Sequence, residues 1–423
     1  MLTSNRNLRL LIVGQFISAL GDQFYLIAIP WLALQMTGRA LIAGSVLAVA
    51  GIPRALAMLL GGAASDRFSA KSLLVGSNGI QGILMLLLGL VVLLPTHSLW
   101  LIFVLAFATG LVDAFGLPAL NTLLPQIVQD DQLEDGNLFL QGTNMVSGAI
   151  GPALAALLIT FAATMDPGGQ NLQGIGLAFL INAFTFLLGI SIFWRIRPEP
   201  VSVEGEDSDA SLLSSFPAVI EFIRSDSRLS YLLILMLTLG LFLTGTIRVG
   251  FALLADAELS GNVQDLGNMT SAFGAGVLVG MIGRRLLPKP PARISGLVAL
   301  SLFATVPLGL ILLGLTRHIL AILAIILAMG LATGYIMIFL LSWLQLRTPH
   351  HLLGRVMAIV FFTTIGLSPI SQILMGYLLD INLRVTFVSV GVLMLAVLIL
   401  TASNRSMWSL ETSTDRVGEG LRV

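Results

Sequence analysis

Twelve apolar windows dominate this sequence, and each is long enough to form one membrane-spanning helix. A bilayer core about 30 Å thick requires about 20 apolar residues in an α-helix. Only 10% of the residues are charged, against about 25% in an average soluble protein. The windows are 8–34, 41–62, 72–95, 98–122, 137–164, 173–194, 229–255, 266–287, 293–315, 318–343, 353–379 and 384–403. The pattern predicts an all-α membrane protein with twelve transmembrane helices.

The composition argues against several other functions. The formal net charge is zero, which is untypical of a nucleic-acid-binding protein. The chain has no cysteine, so disulfides and cysteine-ligated metals are excluded. Neither of its two lysines follows a glycine-rich phosphate loop. We therefore expect a non-enzymatic protein without a cofactor or a metal site.

The positive charges predict the orientation in the membrane. With the N-terminus placed inside, 17 of the 22 Lys and Arg residues fall on the inner side of the membrane. Only Arg39, Arg317 and Arg384 fall outside, and Arg54 and Arg248 lie within windows. Loops rich in Lys and Arg stay in the cytoplasm. We expect a multi-pass protein of the bacterial cytoplasmic (inner) membrane, with both termini cytoplasmic.

The two halves of the chain resemble each other. Gly148–Pro152 in the fifth window has a counterpart in Gly366–Pro369 in the eleventh, and Gly62–Arg67 has a degenerate one in Gly280–Arg285. Such a parallel repeat predicts two pseudo-symmetric six-helix bundles with a substrate site near the midplane. The predicted domains are the bundles 1–194 and 229–403, the linker 195–228 and the tail 404–423.

The linker contains a second periodic pattern. Leu212, Phe216, Ile220 and Ile223 recur at helical spacing after an acidic cluster. This favours an amphipathic helix lying on the membrane surface, and a disordered linker is the alternative.

Asp22 lies near the middle of the first window. A charge at that depth costs at least about 2.5–3.5 kcal/mol on insertion scales. Gln15, Ser18, Asp22 and Tyr25 fall on one helical face, so we expect a polar stripe facing a central cavity. The functional hypothesis is a proton-coupling site at Asp22, and the alternative is a carboxyl group that serves helix packing.

Two more charges are predicted to pair inside the membrane. Arg54 in the second window and Asp113 in the fourth are each about ten residues from the cytoplasmic helix end. Intramembrane charges usually pair, so we expect a buried Arg54–Asp113 ion pair, either structural or a proton-linked switch. Arg248 in the seventh window could hold an anionic substrate group, reach Asp22 or extend to the outer surface. Thr364 and Ser368 are further cavity candidates.

Glycine and proline mark two mechanical elements. Gly148, Gly151 and Pro152 in the fifth window, like Pro369 in the eleventh, allow bending or close packing. The stretch Gly61–Lys71 is predicted to be a short loop, because glycines precede charges where water begins. In that stretch the candidates for a cytoplasmic gate are Gly62, Asp66, Arg67 and Lys71.

With these motifs placed, the chain resembles drug:proton antiporters of the major facilitator superfamily, especially the macrolide-efflux and siderophore-export group. The likeness rests on Leu20–Phe24 with Ala28–Leu32, on Gly62–Lys71, on Pro118–Pro125 with Leu133 and on Gly148–Pro152. It implies alternating access by two rocking halves. The chain departs from the family at Ser69 and Ala70 in the gate loop, at Phe107 where antiporters carry an arginine in the fourth helix, and at Ala155 and Ala156.

The prediction is a monomeric, proton-driven exporter of amphipathic or hydrophobic small molecules. Aromatic residues suit a lipophilic substrate, and the candidates are Phe24, Tyr25, Phe115, Phe242, Phe251 and Tyr335. Two alternatives stay open. One is an importer or lysolipid flippase of the same fold, and the other is a membrane receptor or scaffold that does not transport.

Overall fold

The computed structural model describes residues 5–94, 98–129, 132–164, 172–198, 216–287 and 291–408. Within these ranges, twelve helices are long and apolar enough to cross a membrane. Each coincides with one predicted window, so the prediction of twelve spanning helices is confirmed. No strand occurs in the same ranges, which follows from the need to satisfy backbone hydrogen bonds inside a bilayer.

Helices α1 to α6 belong to the first of two compact units, unit 1, whose described parts lie within Met1–Glu204, Gly245–Gly274 and Gln372–Asp380. Here α1 packs on α5 and α6, and α4 packs on α2 and α3. Buried leucines from α1, α3, α4 and α5 form an apolar cluster with Phe193 and Ile196. The helices are α1 (Arg6–Thr37), α2 (Ala40–Arg67), α3 (Ala70–Leu93), α4 (Leu99–Leu123), α5 (Leu133–Thr164) and α6 (Leu172–Phe193).

Unit 2 comprises Gly205–Thr244, Ala275–Ser371 and Ile381–Val423 as far as these are described. In it α11 packs on α12 and α15, over a core that includes Phe303 and Trp343. The remaining helices, some of which cross from one unit into the other, are α7 (Phe216–Ser225), α8 (Ser227–Gly245), α9 (Phe251–Glu258), α10 (Val263–Leu286), α11 (Ala292–Leu315), α12 (Ile319–Arg347), α13 (His350–Phe361), α14 (Ser368–Ile381) and α15 (Leu383–Ala402). The predicted bundle boundaries stay a prediction.

Two spanning helices contain a wide turn. The π-helical turn Thr246–Gly250 joins α8 to α9, and Phe362–Gly366 lies between α13 and α14. A π-turn adds a residue to one helical turn and often marks a functional position. The first of these turns carries Arg248.

The predicted loop Gly61–Lys71 is much shorter than expected. Helix α2 continues to Arg67 and α3 begins at Ala70, so only Phe68 and Ser69 lie outside the helices. Ser69 caps α3, because its side chain accepts a hydrogen bond from the amide of Ser72. The prediction of a loop across the whole stretch was wrong, because the helix runs past the last residue that hydropathy assigns to the membrane.

The linker helix is confirmed over Phe216–Ser225, where it forms α7. Phe222 and Ile223 pack against the apolar cluster of unit 2, as expected of an amphipathic helix. Leu212 and the acidic cluster lie outside the described residues.

Candidate functional site

A close crossing of α2 and α4 positions the charges of the site in unit 1. Gly110 lies directly against the backbone of Ala50, and a Cβ atom at this glycine would collide with the Ala50 carbonyl. About one helical turn farther along each helix, Arg54 faces Asp113. Their Nη1 and Oδ2 atoms are 4.0 Å apart, and the side chains are 45% and 42% exposed.

The predicted Arg54–Asp113 pair is therefore confirmed, but the prediction that it is buried was wrong. Both side chains remain nearly half exposed because the Gly110 contact brings the two backbones together one turn earlier. The charged groups then project from the same open face of the helix pair. At 4.0 Å the pair is at the distance limit of an ion pair.

Gln81 on α3 supports Asp113 and was missed in the sequence. Its Nε2 donates to Asp113 Oδ1 at 2.6 Å and to the Thr109 carbonyl at 3.0 Å. Gln81 is only 4% exposed, so the amide is held inside the bundle and fixes the carboxyl group. The available signal was the buried polar set Ser77, Asn78 and Gln81 within an otherwise apolar helix.

Asp22 belongs to the same group of charges. It is half-buried and lies within electrostatic range of Asp113 and Arg54. The preceding residue, Gly21, packs directly against Thr185 and Asn182 of α6. That close contact sets the rotation of α1 and hence the direction of Asp22. Two acids and Arg54 thus lie together within membrane-spanning helices.

The polar stripe on α1 is only partly correct. Gln15 is half-buried, but Ser18 is 5% exposed and its hydroxyl donates to Asn78 Oδ1 at 3.2 Å. Tyr25 is buried against the ring of Phe179. The prediction that Ser18 and Tyr25 face a cavity was wrong, because this face of α1 turns towards α3 and α6 at these two positions.

Arg248 is the second positive charge of the site. It lies on the π-turn Thr246–Gly250, is half-buried and is within electrostatic range of Arg54. The wider turn rotates the Arg248 side chain relative to the α8 face before it. With Asp22 and Asp113 ionised, the four groups carry equal numbers of positive and negative charges.

Lys71 is the member of the predicted gate whose side chain the structure describes, and its role at a gate stays a prediction. Lys71 Nζ donates to the carbonyls of Trp194 and Ile196, both at 2.7 Å. A lysine on the last carbonyls of a helix stabilises its negative end, so Lys71 holds the end of α6. Gly62 and the side chains of Asp66 and Arg67 lie outside the described set.

The glycine–proline motif of α5 is a packing element. A Cβ atom at Gly151 would collide with Gln23 of α1. On α10, Gly274 lies against the backbone of Gly148, and Gly267 lies against Pro152 and Ala156. The Ala153 amide donates to Ser271 Oγ at 2.9 Å. Thus α5 packs closely on α1 and on the unit 1 part of α10, as its small residues predicted.

The eleventh spanning segment behaves differently from the fifth. Pro369 and Ser368 are buried just after the π-turn Phe362–Gly366, so Ser368 does not line an open surface. Thr364 is half-buried and donates to the Val360 carbonyl at 3.0 Å. Of the aromatic cavity candidates, Phe24, Phe242 and Phe251 are buried as well, and placing these three on a cavity was wrong. Phe115 and Tyr335 are half-buried.

A set of polar contacts near the C-terminal end of α1 was also missed. Asp380 at the end of α14 accepts hydrogen bonds from the Ala40 amide at 2.6 Å and the Leu41 amide at 3.2 Å. Arg39 Nε is 3.5 Å from Asp380 Oδ2. Gln35 Nε2 donates to Asp256 Oδ1 at 2.8 Å. All these residues lie in unit 1.

Twelve helices long and apolar enough to span a membrane define a polytopic membrane protein, and ionisable groups inside such helices commonly mark transport pathways. The profile described as Major Facilitator Superfamily matches residues 11–370. The chain belongs to the major facilitator superfamily.

Several curated relatives are efflux proteins. The chain is 25% identical over 414 residues to the multidrug efflux pump Tap of Mycolicibacterium fortuitum, covering 93% of this chain and 94% of that protein. It is 24% identical to the enterobactin exporter EntS of Shigella boydii, covering 84% and 81%. The match to macrolide efflux protein A of Streptococcus pyogenes is 22% identical and spans only 63% of either protein.

Solved transporter structures share the fold. The nucleoside transporter NupG aligns with a TM-score of 0.70 at 12% identity, covering 94% of this chain and 98% of that one. A bacterial homologue of the iron transporter ferroportin aligns with a TM-score of 0.67 at 18% identity, covering 94% and 99%. At these identities the likeness concerns the fold alone.

Proposed function

We propose that this transporter is a proton-coupled exporter of amphipathic or hydrophobic small molecules that works by alternating access. The observation that carries the proposal is the charge group of unit 1, in which Asp22, Asp113 and Arg54 lie within electrostatic range inside spanning helices. Intramembrane ionisable groups are expensive to insert and commonly mark ion or proton pathways.

Asp113 is the proposed switch. Its ion pair with Arg54 is 4.0 Å long and both side chains are nearly half exposed, and we propose that a proton replaces the arginine as its partner. Protonation removes the charge that attracts Arg54 and frees the guanidinium group. Gln81 still contacts the carboxyl group through Oδ1, which holds Asp113 in place while its charge changes.

Asp22 is the proposed second proton carrier, and Arg248 the proposed substrate contact. Asp22 and Asp113 share the field of Arg54, so a proton on one acid favours the charged form of the other. Arg248 supplies a positive group near Arg54 that can hold an anionic substrate group. We place the remaining selectivity in half-buried apolar and aromatic side chains.

The names of the relatives support the direction of transport that we propose. The pump Tap, the exporter EntS and macrolide efflux protein A all bear names that describe efflux. We propose that this chain works as a monomer in the bacterial inner membrane with cytoplasmic termini, as its Lys and Arg distribution predicts. The importer or flippase and the non-transporting receptor are the alternatives that the experiment must separate.

The experiment uses the purified chain in vesicles with an imposed pH gradient and a panel of fluorescent lipophilic substrates. Asp22→Asn and Asp113→Asn preserve side-chain size but cannot carry a proton. We expect each to lower proton-driven transport by at least about tenfold, equivalent to about 1.4 kcal/mol. Asp135→Asn is the matched control, because Asp135 is an exposed acid in the first turn of α5.

Each outcome separates the hypotheses. Transport by Asp22→Asn and Asp113→Asn at the rate of Asp135→Asn would contradict proton coupling at this group. Transport along the proton gradient, rather than against it, would identify an importer. Absence of transport of every compound by the unaltered chain, together with unchanged cell phenotypes for the Asp22 variant, would favour the receptor.

A further inference from the structure

A polar cavity of about 520 Å³ lies in unit 2, well separated in the sequence from the charge group of unit 1. It forms where α7 and α8 meet the end of α12 and the short helical turn Arg405–Trp408. Two of these elements are spanning helices whose ends lie at the cavity, since α8 begins at Ser227 and α12 ends at Arg347. The cavity is therefore at the level where a bilayer places its lipid headgroups. Its polar lining consists of Ser225, Asp226, Ser227, Arg228, Arg347 and Ser406.

The single acid of this lining is already engaged. Asp226 Oδ2 accepts a hydrogen bond from Arg347 Nε at 2.7 Å, and Oδ1 accepts one from the Arg228 amide at 3.1 Å. The Arg347 guanidinium also lies over the ring of Trp343, 5.6 Å from its centroid. Asp226 and Arg347 thus balance each other's charge, and the positive charge of Arg228 is left over.

Arg228 has a donor that lacks an acceptor. Its Nη1 is buried, and no group in the described ranges accepts a hydrogen bond from it. A buried donor of a charged group is costly when it is left unpaired. The hydroxyls of Ser227 and Ser406 are 3.4 Å apart and share one hydrogen bond. One of their two hydroxyl hydrogens is therefore available to a ligand. These donors and the surplus charge favour an oxyanion.

We propose that this cavity binds a phosphate group, supplied by the headgroup of an anionic phospholipid, with Arg228 as its main contact. A guanidinium group matches the geometry of phosphate oxygens and forms charge-assisted bonds with them. Basic pockets between spanning helices at the membrane surface are suited to such headgroups. Phe222 adds apolar lining to the cavity next to the positions that lipid chains would occupy. The proposal is independent of proton coupling and of the direction of transport.

Binding by the purified full-length chain in detergent tests this site. Native mass spectrometry and thermal unfolding would be recorded with phosphatidylglycerol, with phosphatidylcholine and with inorganic phosphate. We expect phosphatidylglycerol to bind more tightly than phosphatidylcholine. Arg228→Gln should weaken its binding about tenfold or more, as expected for losing a hydrogen bond to a charged group.

The control is Arg224→Gln, which removes the same charge from the exposed last turn of α7 without touching the cavity lining. It should bind phosphatidylglycerol like the unaltered chain. Ser406→Ala provides a second test of the lining, with a smaller loss of about threefold. The unfolding temperature without lipid verifies that each variant is folded.

The arms of the experiment separate the sources of phosphate. Inorganic phosphate that binds at the same site and is lost in Arg228→Gln would support a phosphate site but assign it to a soluble ligand. Equal binding of the two lipids, or equal losses in Arg228→Gln and Arg224→Gln, would overturn the proposal. In that case the attraction would be general surface electrostatics.

Discussion

Two helix contacts inside unit 1 both depend on close packing at glycines, but different polar interactions stabilise them. Where α2 meets α14, Gly44 lies against the Gln372 carbonyl and Gly376 against the Ala40 backbone. Where α5 meets α10, Gly274 lies against Gly148 and Gly267 against Pro152. In both contacts glycine removes a side chain, and the backbones touch. This is the close approach that small residues permit between membrane helices.

The polar interactions at the two contacts differ in charge. At the α2–α14 contact, Asp380 caps the first amides of α2 and lies beside Arg39. The α5–α10 contact is closed by neutral groups, in which Ala153 donates to Ser271 and Thr160 donates to Asn262. Shape therefore brings each helix pair together, and we expect salt to weaken the α2–α14 contact but not the α5–α10 contact. Under the proposed alternating access, both must separate and re-form in each cycle.

Disrupting the glycine packing between α5 and α10 should have the largest effect on stability and transport. In Gly274→Leu, the new side chain points into the backbone of Gly148 and Ala149, which cannot move aside as a flexible side chain could. We expect a loss of about 1–3 kcal/mol of stability for overpacking, together with the loss of most transport. Thermal unfolding and vesicle transport measure these two effects.

The matched control for this change lies on the same helix. Gly283→Leu places the same side chain on α10, where nothing is within 4 Å of the Cβ position. It should fold and transport like the unaltered chain. Equal losses in Gly274→Leu and Gly283→Leu would mean that the helix cannot tolerate leucine at all, and the contact would lose its special role.

Removing the charged cap comes next in size. Asp380→Ala deprives the Ala40 and Leu41 amides of their acceptor, and losing a helix cap costs about 0.5–2 kcal/mol. The ion pair with Arg39 contributes less, because the Arg39 side chain is 60% exposed and such pairs give about 0–1 kcal/mol. Asp380→Asn keeps an acceptor oxygen and should retain more stability. The difference between these two variants in thermal unfolding measures the cap alone.

Salt sharpens this part of the comparison. Raising the ionic strength from 0.1 M to 1 M shortens the distance over which exposed charges interact from about 10 Å to about 3 Å, which is below the 3.5 Å that separates Arg39 from Asp380. It should lower the unfolding temperature of the unaltered chain more than that of Asp380→Ala. An identical response of both proteins to salt would show that the charge of Asp380 does not stabilise the contact.

The helices were predictable because a bilayer imposes length and apolarity on every span. The Arg54–Asp113 pair was predictable for a related reason, since two charges at similar depth need each other. Helical spacing alone shows which residues share a face, but not which neighbour that face meets. For that reason Ser18 and Tyr25 were placed on a cavity, although they pack against α3 and α6.

The missed residues depend on contacts between segments far apart in the chain. Gln81 reaches Asp113 across two helices, and Asp380 meets Ala40 across more than 300 residues. Nothing in the local sequence of either residue indicates its partner. The end of α2 was misjudged for another reason, because glycines followed by charges are also compatible with a helix that extends beyond the bilayer core.

Removing the neutral hydrogen bond at the α5–α10 contact should have the smallest effect on stability, and that effect should not depend on salt. Ser271→Ala removes the oxygen that accepts the Ala153 hydrogen bond at 2.9 Å, and a hydrogen bond of this kind contributes about 0.5–1.5 kcal/mol. The helix contact itself should persist, since Gly267 and Gly274 are unchanged. The unfolding temperature should fall slightly and equally at low and high salt, which distinguishes this contact from the one at Asp380. If the fall in unfolding temperature of Ser271→Ala depended on salt, charge would also act at the α5–α10 contact. The contrast between a charged and a neutral helix contact would then no longer hold.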